Sequence, residues 1–170
     1  MIKIEINPFA AFVPKNASIL IIGSFPGKEQ TQNVKEINDE WFYGSKRNQF
    51  WSIVSSVYGV ELKDTAAKKE LFKKLGIAIT DVLLKIKRLQ NNNLDENLEI
   101  VEFNEKELAT IISNPKIKKI YFTSKFVERH FKKLFPGITY TEALPSPSPR
   151  YARMTLAQKI EHYKNKLPEK

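Results

Sequence analysis

The sequence predicts an α/β protein, a single three-layer α/β/α sandwich with a mainly parallel central sheet that spans residues 1–170. Two observations predict this class. Short apolar runs typical of buried strands alternate with amphipathic segments typical of helices, and this order favours βαβ units around a parallel sheet. Hydrophobic residues also make up 42% of the 170 residues, and no repeat or long linker divides them, which favours one domain with a substantial core.

The first half of the chain contains two predicted strands and two predicted helices. Residues 18–24 are an isoleucine-rich run that ends near a glycine, which predicts a buried strand. Apolar residues recur at helical spacing over residues 50–58, and a glycine follows them as a stop. Asp64 can cap a second helix, Gly76 lies just beyond its end, and residues 77–80 follow as a strand.

The second half contains three predicted helices and two predicted strands. Each helix begins at a polar residue that can accept a hydrogen bond from a first-turn N–H group, and two of these residues have a capping-box partner. The predicted caps are Asn104 with Glu107, Ser124, and Thr155 with Gln158. The strands are predicted near residues 117–123 and 138–141, and the polar stretch 90–93 is predicted to be a surface loop.

Composition limits the chemistry that this chain can carry. The formal net charge is +9, which favours a polyanionic partner such as nucleic acid or an anionic membrane surface. Cysteine is absent and only two histidines are present, so disulfides, thiolate catalysis and cysteine zinc sites are excluded, and we expect no metal or other cofactor. No apolar run could span a bilayer or serve as a signal peptide, so we expect a cytoplasmic protein without a membrane partner. Nothing in the sequence indicates an oligomer, so the default expectation is a monomer.

Sites in parallel sheets collect at the carboxyl ends of the strands. Three segments follow predicted strands, namely residues 23–27, 80–81 and 144–149. The first contains two glycines and a proline, so its backbone N–H groups could converge on a ligand oxygen, or it could be a simple turn that ends the strand. It lacks the glycine spacing and the final lysine of a phosphate-binding loop.

Residues 41–51 combine five aromatic rings with an asparagine and two cations, Lys46 and Arg47. In one interpretation the aromatic residues belong to the core and Asn48 caps the helix that follows. In the other, Tyr43 is a stacking platform for a base and Asn48 is a polar group aimed at a reaction centre. Aromatic faces beside cations suit an extruded nucleotide.

The segment of residues 144–151 is a proline-stiffened loop that ends in a cation and an aromatic ring, Tyr151. Prolines reduce the entropy that is lost when a partner docks. The hydroxyl groups of Ser146 and Ser148 could bind phosphate oxygens, and Arg150 or Arg153 could neutralise them. The alternative is a plain connecting loop.

In order, these three segments resemble the motifs of the uracil-DNA glycosylase superfamily, most closely those of its hypoxanthine-DNA glycosylase branch. That branch has a glycine-x-x-proline-glycine turn, a tyrosine–asparagine–phenylalanine–tryptophan segment and a leucine-proline-serine-x-serine-proline loop. These correspond here to residues 23–27, 43–51 and 144–149. The resemblance covers nearly the whole chain. It implies a metal-free DNA glycosylase that removes a deaminated base such as hypoxanthine, uracil or xanthine from DNA.

The resemblance also implies roles for single residues. Asn48 corresponds to the asparagine on which the hypoxanthine branch relies for catalysis. Tyr43 falls where the family stacks an aromatic ring on the flipped base. The backbone N–H groups of Ser24 and Phe25 fall where the base carbonyl is bound, and Asp81 lies near a position that reads the base edge in some relatives. Residues 146–150 match the loop that pinches the DNA backbone.

Three departures from the family pattern leave other functions open. Phe25 and Leu144 stand where most of the superfamily has polar catalysts, and Ser45-Lys46 replaces the usual histidine-proline. A member of the fold that binds nucleic acid without hydrolysis is therefore the main alternative. A glycosidase of free nucleosides is a second, although the charge of +9 and the stiff loop favour a polymer. A plain interaction module is the third alternative, and it requires that the three motifs occur in this order by coincidence.

Overall fold

The computed structural model describes residues 2–32 and 40–170. In chain order the strands are β1 (Ile4–Ile6), β2 (Ile19–Gly23), β3 (Ile77–Asp81), β4 (Leu83–Arg88), β5 (Leu98–Phe103), β6 (Lys119–Phe122) and β7 (Thr141–Ala143). The helices are α1 (Lys28–Gln32), α2 (Phe50–Tyr58), α3 (Thr65–Leu75), α4 (Glu105–Ile112), α5 (Lys125–Leu134) and α6 (Leu156–Lys164). A 3₁₀ turn covers Asp95–Asn97. None of the helices in these ranges is long and apolar enough to cross a membrane.

The central sheet has four parallel strands in the order β3-β2-β6-β7. Successive side chains of β2 point to opposite faces, as the strand geometry requires. Ile21 packs into a core with α2, α3 and α6, whereas Leu20 and Ile22 pack into a second core with α4 and α5. Helices therefore cover both faces of the sheet, and the predicted three-layer α/β/α architecture is confirmed.

A second sheet, of three antiparallel strands in the order β1-β4-β5, was not predicted from the sequence. It packs on the side of α4 and α5, where Leu83, Ile86 and Leu98 join the second core. Glu5 of β1 and Arg88 of β4 form an ion pair at 3.0 Å, with side-chain exposures of only 6% and 3%. The pair fixes this sheet next to the turn after β2, because the Arg88 guanidinium also donates to the Pro26 carbonyl at 3.2 Å.

Most helix ends follow the sequence prediction. Asp64, Ser124 and Thr155 each accept a hydrogen bond from a first-turn N–H group, and Thr155 with Gln158 forms the complete capping box. Gly59 and Gly76 end α2 and α3 in the left-handed conformation, with φ of 60° and 66°.

Two local predictions were wrong. Asn104 precedes α4 but makes no capping hydrogen bond, because its amide instead donates to Glu107 at 2.7 Å and to the Asp81 carbonyl at 3.1 Å. The last strand was expected over residues 138–141 but covers Thr141–Ala143. Ile138 still belongs to the preceding turn, since its N–H donates to the Phe135 carbonyl at 3.2 Å.

Candidate active site

The carboxyl ends of three neighbouring strands meet at one edge of the parallel sheet. Gly23 ends β2, Asp81 ends β3, and Thr123 follows β6. A methyl group on Gly23 would lie 2.4 Å from Asp81 Oδ1 and 2.6 Å from the Tyr43 hydroxyl. Because a glycine occupies this position, a carboxyl group and a phenol can both lie directly against the turn.

Tyr43 is held in place by contacts on its ring and its hydroxyl. The ring stacks on Phe50 with a centroid distance of 4.1 Å and an interplanar angle of 20°, and the hydroxyl shares a 2.8 Å hydrogen bond with Thr123 Oγ1. Its backbone has a left-handed conformation, with φ of 58°. This conformation is uncommon for a bulky residue, and residues that adopt it concentrate at functional sites. Burial, with a smaller effect of the Asp81 carboxylate, raises the pKa of Tyr43 well above 10, so the phenol stays protonated.

Asp81 is a buried carboxyl group, with 5% exposure. Its Oδ2 accepts a 3.0 Å hydrogen bond from Asn7 Nδ2. Burial raises the pKa of Asp81 to about 7; the charges of Asp95 and Glu107 add to this effect and the Asn7 hydrogen bond opposes it. A group of this kind titrates in the range in which an acid and a base are both useful, and such groups concentrate at functional sites.

In the turn of residues 23–27, some backbone groups have hydrogen-bond partners and others have none. The carbonyls of Gly23 and Ser24 accept hydrogen bonds from Val82 and Leu83 N–H groups, at 2.8 and 3.1 Å. Within the described residues, the N–H groups of Ser24 and Phe25 have no hydrogen-bond partner. These two N–H groups can therefore donate hydrogen bonds to a ligand oxygen. The Phe25 side chain packs against the second core and offers no polar group.

Asn48 lies at the start of α2 and is half-buried. Its Oδ1 accepts a 2.9 Å hydrogen bond from the Phe50 N–H, so the side chain supports the first turn of the helix. An amide oxygen has a second lone pair, and Nδ2 carries two donors that have no partner in the part of the chain that the structure describes. The helical role and a role towards a ligand can thus coexist in this residue.

The loop of residues 144–149 lies against the asparagine segment. The Gln49 N–H donates to the Pro147 carbonyl at 2.9 Å, and the Tyr163 hydroxyl donates to the Pro145 carbonyl at 2.9 Å. Lys159, only 1% exposed, donates to Gln49 Oε1 and to the Ser148 carbonyl, both at 2.8 Å. Desolvation lowers the pKa of this lysine. One buried cation therefore ties the two segments together.

The expected phosphate-binding groups lie on this loop and beside Asn48. Ser146 Oγ and Ser148 Oγ accept hydrogen bonds from the N–H groups two residues further on, which leaves their hydroxyl protons free to donate. The remaining expected contacts are the half-buried Tyr151 and four exposed cations, Lys46, Arg47, Arg150 and Arg153.

Asp95 and Lys159 are two site residues that the sequence analysis missed. Asp95 lies two residues beyond the stretch that was predicted to be a surface loop, yet burial raises the pKa of its carboxyl group. Only contacts between distant segments create that environment. Lys159 precedes Tyr163 by one helical turn, and this spacing could have placed it on the buried face of α6. No group of three or more histidine, aspartate or glutamate residues within the described ranges could hold a metal ion.

Comparisons with known proteins agree with this architecture. The model of the uracil DNA glycosylase superfamily matches residues 10–169. A hypoxanthine DNA glycosylase of Methanosarcina acetivorans is 31% identical over 147 residues, which cover 82% of this chain and 84% of the relative. A hypoxanthine DNA glycosylase of Methanosarcina barkeri is 28% identical over 119 residues, or 69% of this chain and 70% of the relative.

A solved structure is similar over nearly the whole chain. It is a solution NMR structure of a candidate uracil DNA glycosylase from Methanosarcina acetivorans, with a TM-score of 0.69 and 24% identity. The similarity covers 96% of this chain and 98% of that one. At 24% identity, this structural similarity is evidence for the fold alone.

Proposed function

Because the chain belongs to the uracil-DNA glycosylase superfamily, we propose that it is a monofunctional DNA glycosylase that hydrolyses the N-glycosidic bond of a deaminated base. The bases we propose are hypoxanthine, uracil and xanthine, and the product is an abasic site. One observation carries the proposal beyond family membership. Tyr43, in a left-handed backbone conformation and stacked on Phe50, lies against a turn with two N–H groups that have no partner among the described residues.

The reaction requires that the target base leave the stack and enter this pocket. Extrusion costs a few kcal/mol, and stacking of a base on an aromatic ring returns about 1–3 kcal/mol. Tyr43 would supply that stacking with the ring face that does not contact Phe50. The hydrogen bond to Thr123, at 2.8 Å, and the stack on Phe50 fix the ring before the base arrives, so little entropy is lost on binding.

The bond breaks as the base leaves with negative charge and the sugar becomes cationic. In our proposal, the N–H groups of Ser24 and Phe25 donate to the base carbonyl as it gains charge, and one such donor typically contributes about 3–4 kcal/mol to lowering the barrier. Asn48 would orient water towards C1′ and face the cationic sugar with its carbonyl dipole, since an amide is too weak a base to take a proton outright. The cations of the proline loop and Arg47 would hold the phosphates on either side.

A member of the fold that binds nucleic acid without hydrolysis is the second candidate function. The observation that favours it is the 2.9 Å hydrogen bond from the Phe50 N–H to Asn48 Oδ1, which occupies one lone pair of the proposed water-orienting oxygen. The partner would again be DNA or RNA, held by the same basic loop. Excision and binding therefore have to be measured on the same protein.

An excision assay without metal distinguishes the two functions. Labelled duplexes and single strands that carry uracil, hypoxanthine or xanthine are scored for alkali-sensitive breaks. We expect Asn48→Ala to lower the excision rate by at least about 100-fold, because a group that acts on the transition state is lost, and to leave DNA affinity largely intact.

Asn48→Ser serves as a second variant, since its hydroxyl can still accept from the Phe50 N–H and preserve the start of α2. Asn165→Ala, at the exposed end of α6, is the matched control. Near-normal excision by both Asn48 variants would remove this residue from the catalytic machinery. Salt-sensitive binding with no excision by wild-type protein would establish the second function instead.

A further inference from the structure

Lys159 of α6 is a buried cation whose ammonium group contacts separate parts of the candidate site. The side chain is only 1% exposed. Its Nζ donates to Gln49 Oε1 and to the Ser148 carbonyl, both at 2.8 Å, and it lies 5.6 Å from the centroid of the Tyr151 ring. Gln49 directly precedes α2, whereas Ser148 and Tyr151 belong to the loop of residues 144–151. One ammonium group therefore joins segments that lie far apart in the sequence.

The charge of Lys159 has no carboxylate partner among the residues that the structure describes. Both of its hydrogen-bond acceptors are neutral oxygens, and none of the ion pairs between described residues includes it. Burial of a charge without an ionic partner is unfavourable. A charged donor does, however, form stronger hydrogen bonds than a neutral one, so this lysine is suited to fixing the positions of its two acceptors.

The contacts of α6 and Gln49 also orient the backbone of the loop. Three of its carbonyls, those of Pro145, Pro147 and Ser148, accept hydrogen bonds from α6 side chains or from the Gln49 N–H. Pro145 and Pro147 are buried, whereas Ser146 and Ser148 are half-buried. A phosphate is repelled by carbonyl oxygens and accepts hydrogen bonds from hydroxyl groups. Because these carbonyls are held inward, the loop can offer its serine hydroxyls to a DNA backbone.

The second acceptor of Lys159 lies next to the proposed catalytic asparagine. Gln49 directly follows Asn48 and precedes α2, yet its side chain makes no capping hydrogen bond to that helix. Its Oε1 instead accepts from Lys159, and its N–H donates to the Pro147 carbonyl at 2.9 Å. These two contacts set the position of the asparagine segment relative to the loop.

We propose that Lys159 is a positioning residue for the reaction, because it holds the loop that contacts the DNA backbone in a fixed position relative to Asn48. A phosphate bound at the serine hydroxyls then places its sugar within reach of the water that Asn48 orients. Enzymatic rates depend strongly on such geometry, since a displacement of about 1 Å can lower a rate by about 100-fold. This assignment rests on the proposed function, because it concerns the geometry of the same site.

The test measures the excision rate and the DNA affinity separately. Lys159→Met and the control Lys164→Met, at an exposed position of the same helix, are compared with the wild-type protein where urea unfolding shows that each is folded. We expect Lys159→Met to lower the single-turnover excision rate at saturating protein by about 10- to 100-fold. Its dissociation constant for DNA should change by less than about threefold, because the exposed cations remain. A role in stability alone would leave the rate of the folded protein unchanged.

Gln49→Ala is a second variant, because it removes one acceptor of Lys159 and keeps the other. It should lower the saturated rate by about 10-fold. Since both changes break the same contact, the double variant should be no slower than Lys159→Met. Additive effects, or a wild-type rate in Lys159→Met, overturn the assignment. A large loss of affinity with an unchanged saturated rate would make Lys159 a DNA contact and overturns it as well.

NMR separates the failure of this assignment from the failure of the proposed function. The hydrogen bond from the Gln49 N–H to the Pro147 carbonyl can be followed by the scalar coupling across it. This coupling should be present in the wild-type protein and in Lys164→Met, and lost in Lys159→Met. An unchanged coupling in Lys159→Met overturns the assignment. A coupling that depends on Lys159, in a wild-type protein that excises no base, would overturn the proposed function and keep the structural role of Lys159.

Discussion

Replacing Asp81 with asparagine removes a carboxyl group that is 5% exposed and whose pKa burial raises from 3.8 to about 7. A pKa that is higher in the folded protein means that the folded state binds a proton that the unfolded chain has already released. The free energy of unfolding therefore falls as pH rises from about 4 to about 7, and it is constant with respect to this group at higher pH. The ionised Asp81 side chain therefore lowers the free energy of unfolding at neutral and alkaline pH.

The two pKa values of Asp81 set the size of this cost. A change from 3.8 to about 7 corresponds to about 4 kcal/mol of unfolding free energy when the group is fully ionised. Asparagine resembles the protonated carboxyl group in shape and keeps an acceptor for Asn7. We therefore expect Asp81→Asn to match the wild-type protein near pH 4 and to exceed its stability by about 4 kcal/mol at pH 8.

The assay is urea unfolding of both proteins at several pH values from 4 to 8. Titrating groups that do not interact with Asp81 contribute equally to both proteins, so the difference between them reports Asp81 together with its coupling to Asp95 and Glu107. Asp64→Asn, at an exposed helix cap where asparagine is as good as aspartate, is the control and should stay within about 0.5 kcal/mol throughout. A stability difference between wild type and Asp81→Asn that does not change with pH would refute the reasoning.

Two further predictions concern the loop of residues 144–151. Lys159→Met should lower the free energy of unfolding by about 2–4 kcal/mol, because two acceptors at 2.8 Å lose a charged donor. Urea unfolding measures this loss. The control is Lys164→Met, at an exposed position of the same helix, whose free energy of unfolding should stay within about 0.5 kcal/mol of the wild-type value. Arg150→Ala should weaken binding to all DNA and lower the slope of log affinity against log salt by about one. Lys74→Ala, near the opposite edge of the sheet, should keep the slope, and an unchanged slope in Arg150→Ala would remove that residue from the DNA interface.

Local physics explains why much of the helix and strand pattern could be predicted. The cap at Asp64 and the left-handed glycines depend on a few neighbouring residues, so their sequence carries the information. The same holds for β2, whose uninterrupted isoleucine run is typical of a strand buried on both faces. The resemblance of three motifs to one family added the expected positions of the site residues.

The antiparallel sheet and the Asp95 loop depend on contacts that no short window contains. Strand β4 has irregular pairing with β5 around Lys85, so its side chains do not alternate regularly between apolar and polar. The loop that follows has the composition of a solvated turn, and its packing depends on Arg88. A buried arginine cannot be recognised in a sequence that contains many exposed cations, and the environment of Asp95 was therefore missed.

The buried ion pair of Glu5 and Arg88 connects the second sheet to the site. An ion pair with side-chain exposures of 6% and 3% is a poor source of stability, because desolvation of both charges offsets their attraction. Its value lies in geometry: the planar guanidinium holds the Glu5 carboxylate on one side and the Pro26 and Asn92 carbonyls on the other. Those carbonyls belong to the two loops that carry the proposed carbonyl donors and Asp95. The antiparallel sheet thus positions the two loops that flank the proposed base pocket, as well as covering one face of the core.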